Sequence, residues 1–174
     1  SAIVNGGNLI TPHFAKAITD EDGNVIKEFE YPLGEQVISK ETSDTMRGIL
    51  EKVVAEGTGN KAYIPGYRMG GKTATSEKLP RKSGKYIASF MSFAPAEDPQ
   101  VMAFVLIDEP QGVYYGGTVA GPVMKELMSN ILPYFGIEPV YNESESELDE
   151  AKTSVVPDIT GLDVQEAKKL ISDA

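Results

Sequence analysis

Gly66-Tyr67-Arg68-Met69-Gly70-Gly71-Lys72-Thr73-Ala74-Thr75 satisfies, through Thr73, the phosphate-loop pattern G-x-x-x-x-G-K-[ST] letter for letter. Which way this stretch folds decides the molecule. A phosphate loop needs a buried strand leading in and a helix opening at the lysine, so that backbone N–H groups and the helix dipole face phosphate. Here Pro65 interrupts the approach, and residues 74–84 show no helical periodicity and include Pro80. The stretch therefore reads as extended from Tyr67 to Ser76, with Lys72 on a strand.

Downstream lie two stronger strands. Tyr86 to Phe93 is apolar on both faces and Val101 to Ile107 is continuously so, with Pro95-Ala96-Glu97-Asp98-Pro99 between them. That connection is too short for a helical crossover, which predicts antiparallel neighbours near the middle of a sheet. After Tyr114-Tyr115-Gly116-Gly117 a helix is expected from about Thr118. Its face of Val119, Val123, Leu127 and Ile131 has i, i+4 spacing, Pro122 falls in the first turn, and Pro133 with Gly136 stops it. Upstream, Met46, Ile49, Leu50, Val53 and Val54 mark one face of a helix over about 40–56, capped by Ser39 and ended by Gly57. Before that, residues 13–19 and 24–30 alternate around Glu21-Asp22-Gly23-Asn24, a hairpin with an Asp-Gly turn.

Residues 142–150 are acidic and serine-rich, which predicts a solvated linker over 141–154. Beyond it, Val155 to Ile159 suggests a short strand, and Asp163 with Glu166 resembles a capping box before an amphipathic helix. The chain stops inside that helix, and its opening residues have neither a basic start nor an apolar stretch of signal length, so both ends read as cut.

Composition removes several classes of chemistry. The 174 residues contain no cysteine, which excludes disulfide scaffolds and thiol nucleophiles, and one histidine, His13, which excludes a His-based triad or multi-histidine metal site within this chain. No apolar run approaches the ~20 residues that cross a bilayer. Net charge is −10, yet residues 61–85 carry seven basic residues against Glu77 alone. So acidic a chain is a poor partner for nucleic acid and a better one for a small anionic substrate meeting a local basic strip.

Gly71-Lys72-Thr73-Ala74-Thr75 resembles the Lys-Thr-Gly strand motif of penicillin-binding transpeptidases and serine β-lactamases. Ile3-Val4-Asn5-Gly6-Gly7, Val53-Val54-Ala55-Glu56-Gly57-Thr58-Gly59 and Tyr115-Gly116-Gly117-Thr118-Val119-Ala120-Gly121-Pro122-Val123 are similar, in order and spacing, to the C-terminal half of a class B penicillin-binding protein. Residues 155–174 resemble the start of a PASTA module. The resemblance implies an α+β fold, an antiparallel sheet flanked by helices, built from the 13–30 hairpin and the strands near 67–76, 86–93 and 101–107. It divides the chain into part of a transpeptidase domain (1–140), an acidic linker (141–154) and a truncated PASTA module (155–174).

The same resemblance implies peptidoglycan D,D-transpeptidation through an acyl-serine, without cofactor or metal. Such an enzyme would act on stem peptides ending in D-Ala-D-Ala, bind β-lactams and work outside the cytoplasmic membrane, beside other cell-wall synthesis proteins. Lys72 would hold the substrate carboxylate and polarise neighbouring hydroxyls, Thr73 would hydrogen-bond that carboxylate, and the Thr75 N–H would be an oxyanion donor. Ala74 replaces the usual glycine, with a methyl that crowds the approach of substrate; Tyr115 and Gly116 would border the cleft. The family's nucleophilic Ser-x-x-Lys and its Ser-x-Asn motif both lie upstream, and no serine here fits either pattern. Two alternatives stand beside this reading, a non-catalytic module that binds wall peptides or β-lactams and a nucleotide-binding protein. The last predicts a helix at Lys72. If the strand reading is right, calorimetry with micromolar ATP and magnesium shows no saturable binding; saturable heat would restore the phosphate loop.

Overall fold

The structure, a computed structural model, describes residues 1–145, 160–161 and 163–172. The chain divides into two compact units, Ser1–Glu138 and Pro139–Ala174. In the first, a hairpin of β1 (Ala17–Thr19) and β2 (Val25–Glu28) precedes α1 (Lys40–Ala55). A single 3-10 turn (Asn60–Ala62), β3 (Gly70–Glu77), β4 (Tyr86–Ala94), β5 (Val101–Asp108) and α2 (Gly116–Tyr134) complete it.

The main sheet has the order β3-β4-β5, antiparallel throughout. Lys72 pairs with Met91 and Thr73 with Phe90, so the lysine sits in a strand and no helix opens at it. The phosphate-loop reading ends there. The short β4–β5 connection closes an antiparallel pair as its length requires. β4 is the central strand, buried almost throughout, but β5 is the outer strand among the described residues. Its alternate residues Val101, Val105 and Ile107 pack against the core, while Met102, Phe104 and Leu106 are exposed. An unbroken apolar run thus meets the core on one face only.

The 13–30 hairpin forms with its turn at Asp20–Asn24, where the Asp20 carboxylate accepts from the Asp22 and Asn24 amides and from Asn24 Nδ2. Those bonds, the Asn24 side chain first, hold the carboxyl of Asp20 below its usual pKa. The expected place of this hairpin is corrected: β1 and β2 make a separate two-stranded sheet, with β2 exposed along its length. Its alternation supplies no apolar face large enough to join the core.

Helix α1 starts as its cap predicts, the Ser39 hydroxyl accepting from the Thr42 amide. Its buried positions are Ser43, Leu50 and Val54, whereas Ile49 is 51% exposed. Ser43 is buried because the N-terminal segment docks on it: its hydroxyl donates to the Ile3 carbonyl at 2.7 Å and accepts from the Gly6 amide at 3.1 Å. Arg68, just before β3, makes a two-pronged bridge to Glu51 of α1, Nε to Oε1 at 2.7 Å and Nη2 to Oε2 at 2.8 Å. That carboxylate holds the guanidinium above its usual pKa, and the paired fork fixes where the strand begins relative to the helix.

Helix α2 differs most from expectation. It opens at Gly116 and not Thr118, which puts Pro122 in the second turn, and Pro133 lies inside the last turn. Gly136, at φ +70°, takes the left-handed conformation that ends the helix, with the Gly136 amide on the Pro133 carbonyl and that of Ile137 on Leu132. The buried stripe is Gly116, Ala120, Met124, Met128 and Leu132, one position round from the expected face. Ala120, Met124, Met128 and Leu132 join Val54, Ala62, Phe90 and Ala103 in one core. Two adjacent apolar stripes run along α2, and small residues near its start let that stripe approach the sheet. In the second unit α3 (Val164–Ser172) is capped as expected by Asp163, whose carboxylate accepts from the Gln165 and Glu166 amides. Residues 143–145 of the expected linker are helical; the rest of that linker and the expected strand at Val155 to Ile159 lie outside the described residues.

The corrected stripe predicts a sharp contrast in chemical denaturation. Met124→Ala, at a fully buried site, costs about 2–5 kcal/mol, whereas Val123→Ala, 45% exposed, costs less than about 1 kcal/mol. Equal losses would return the packed face to the Val123 stripe.

Candidate active site

The site grows from the free edge of β3. The Lys78 amide donates to the Lys85 carbonyl, continuing the β3–β4 register. In an antiparallel ladder alternate residues exchange both bonds, so Ser76, Ala74 and Lys72 face β4. The N–H and C=O of Thr73 and Thr75 therefore point to the open edge, where no strand pairs among the described residues. Lys72 Nζ finds this edge, donating to the Thr73 carbonyl at 2.8 Å.

Side chains alternate across the same strand. Thr73 and Thr75 lie over the Phe90 and Ala88 face, the face α2 covers, and Lys72 and Ala74 lie over Met91 and Ser89 on the other. Ala74 is exposed there. The first turn of α2 closes on the threonine side. A Cβ at Gly116 would run into the carbonyl oxygens of Ala74 and Ser89, and one at Gly117 into that of Thr58. Only glycine permits this approach. With the backbones that close, the Gly116 amide donates to Thr75 Oγ1 at 3.0 Å.

The result is a cleft of about 380 Å³ in which Thr73, Thr75, Tyr115 and Gly116 converge with Thr58, Asn60, Lys61, Gly117 and Thr118. Thr58 Oγ1 and Thr73 Oγ1 are 3.3 Å apart. Tyr115 is 59% exposed beside Tyr114, which itself stacks on Tyr86 at 3.9 Å between ring centres. The hydrogen bond with the Tyr114 side chain pushes the Tyr115 phenol above its usual pKa. Four of the six residues singled out from sequence thus share one cleft, and Lys72 and Ala74 flank its edge from the opposite face. His13 is exposed and stacks on Tyr31, 3.4 Å between centres, away from this chemistry. Thr58 and Lys61 were not among the expected site residues. The Gly57-Thr58-Gly59-Asn60 loop was the available signal, two glycines and two short polar residues directly after a helix.

Residues 1–129 match the model of the penicillin-binding protein transpeptidase domain, and the chain belongs to that family. Among its relatives, stage V sporulation protein D of Bacillus subtilis is 43% identical, over 98% of this chain and 28% of that protein. A probable peptidoglycan D,D-transpeptidase, PenA of Neisseria flavescens, is 38% identical over 72% of this chain and 34% of its own length. The chain thus spans about a third or less of these relatives. Solved structures agree: the transpeptidase domain of penicillin-binding protein 3 from Burkholderia pseudomallei is 34% identical with a TM-score of 0.65, over 79% of this chain and 40% of that one. Penicillin-binding protein 3 from Mycobacterium tuberculosis, complexed with ampicillin, gives a TM-score of 0.69 at 25% identity, over 82% of this chain and 34% of that one.

The tight seat of α2 is testable. Gly116→Ala should lower unfolding stability by about 1–3 kcal/mol through overpacking. Gly48→Ala, in the middle of α1 with open space around it, should raise it by roughly 0.5–1 kcal/mol. A neutral Gly116→Ala in urea unfolding would contradict the close approach.

Proposed function

We propose that this chain forms one wall of the catalytic cleft of a serine-type peptidoglycan D,D-transpeptidase, acting on stem peptides that end in D-Ala-D-Ala and acylated by β-lactams. The observation that carries the reading is the convergence at the β3 edge. There the Thr75 N–H faces outward, Thr73 and Thr75 hydroxyls line one side, and the Lys72 ammonium bends to the edge from the other.

A peptide laid along this edge would place its scissile carbonyl oxygen at the Thr75 N–H and its terminal carboxylate at the threonine hydroxyls. Lys72 supplies positive charge beside the reacting centre, where negative charge develops. A serine hydroxyl attacks the carbonyl, its proton passing to a base. The acyl-serine ester forms and D-alanine leaves, and the amine of a second stem peptide then takes the acyl group and frees the serine. No Ser-x-x-Lys occurs in the 174 residues, so the nucleophile belongs to the part of the relatives' length that this chain does not span.

Membership of the family supports a place at the outer face of the cytoplasmic membrane, although among the described residues no helix is long and apolar enough to cross one. The likeness to the Bacillus sporulation protein supports wall synthesis during sporulation, alongside other wall-synthesis proteins. The capped helix α3 supports reading 155–174 as the beginning of a PASTA module behind the 141–154 linker.

In the full-length protein, Lys72→Ala should slow acylation by labelled penicillin about ten- to a hundredfold, the ~1.5–3 kcal/mol of a hydrogen bond to a charged group, with an unchanged melting temperature. Lys72→Arg should recover part of the rate, because a planar guanidinium does not fit the place of a compact ammonium. Unchanged acylation in Lys72→Ala would make this lysine a surface residue and remove the reading.

A further inference from the structure

We propose that Lys61, rather than Lys72, is the cation that meets the substrate's terminal carboxylate, which makes Lys61 a specificity-determining residue of the cleft. The proposal rests on the transpeptidase reading above. It begins from the donor chemistry of the threonine side. Thr75 Oγ1 already accepts the Gly116 amide, so its hydroxyl proton is left to donate outward. Thr58 and Thr73 share one contact at 3.3 Å, in which one hydroxyl donates and the other keeps its proton for a ligand.

Among the described residues Lys61 is the only charged side chain lining this cleft. The lining holds no carboxylate, so an anion meets hydroxyl donors and an ammonium while a cation finds no counter-charge. The charge of Lys61 is also unspent, since the residue is exposed and makes no ion pair among the described residues. Its backbone is held firmly. Ala62 beside it is fully buried, the Ala62 amide donates to the Gly59 carbonyl, and the space at Gly121 of α2 ends against the Lys61 Cβ. Lys72 is placed differently: its side chain leaves β3 on the opposite face from Thr73 and Thr75 and is held at the Thr73 carbonyl. The geometry separates two duties, with Lys61 at the carboxylate and Lys72 at the reacting centre. The ligand class that follows is an acyl donor with a free carboxylate next to its reacting amide, preferred over the same donor with that carboxylate masked.

The test uses the full-length protein and two probes, benzylpenicillin and its methyl ester, with second-order acylation as the readout. Lys61→Met should slow acylation by benzylpenicillin about tenfold, the scale of one charge-assisted hydrogen bond at an accessible site, and leave the ester's rate within about twofold. Lys61→Arg should keep most of the benzylpenicillin rate, and Lys72→Met should slow both probes. An unchanged benzylpenicillin rate in Lys61→Met, an equal fall with both probes, or a carboxylate-selective loss in Lys72→Met instead would each overturn the assignment while leaving the transpeptidase reading in place. If the unaltered protein is acylated by neither probe, the transpeptidase reading fails and this proposal fails with it.

Discussion

The seat of Gly116 on the β3–β4 ladder is the contact on which the site depends. There the first turn of a 19-residue helix comes down on the backbone, against the carbonyl oxygens of Ala74 and Ser89. The Gly116 amide then reaches Thr75 Oγ1, and Gly117 brings the helix up to Thr58. One missing side chain at each position fixes three elements at once: the strand, the helix and the loop after α1. The larger residues of the same stripe, Met124, Met128 and Leu132, bury completely and supply the apolar drive that holds the helix there.

Strand β3 gains its chemistry from being an edge. A central strand spends every amide and carbonyl on its neighbours, whereas β3 leaves those of Thr73 and Thr75 outward. The pleat then sends the threonine hydroxyls to one side and the Lys72 ammonium to the other. A substrate strand added along the edge would be met by backbone donors in the plane and by hydroxyls and charge from both faces. The Arg68–Glu51 fork fixes the entry to this strand, and Lys78 with Asp108 and Glu109 joins its far end to β5. Those pairs are partly exposed and weak singly; their place at the two ends makes them guides for register.

Much of this was legible in the sequence where one physical signal had one meaning. Pro65 and Pro80 excluded a phosphate-loop helix around Lys72, and the short apolar strands with so short a break between them had to be antiparallel. Signals with two meanings failed. Helix α2 has two neighbouring apolar stripes, and spacing alone favoured the one with Val123 and Leu127, although the glycines and Ala120 of the other mark a close approach. Alternation in the 13–30 hairpin gave the right turn but could not show that its strands pair only with each other. Within the site, the Lys72 motif was readable because its residues are contiguous. Lys61 was not, because it enters the cleft from a separate 3-10 turn and only folding brings that turn beside Thr73.

On the proposed function, the β3 edge and the threonine cleft beside it would hold the reacting end of a D-Ala-D-Ala-like ligand. The most direct measurement is a crystal structure of the full-length protein acylated by a penicillin. The penicillin carboxylate should lie within hydrogen-bond distance, roughly 2.7–3.2 Å, of the Thr73 and Thr75 hydroxyls, with the acyl carbonyl oxygen on the Thr75 N–H. A bound penicillin whose carboxylate turned away from both threonines, or whose carbonyl made no contact with the β3 edge, would contradict it.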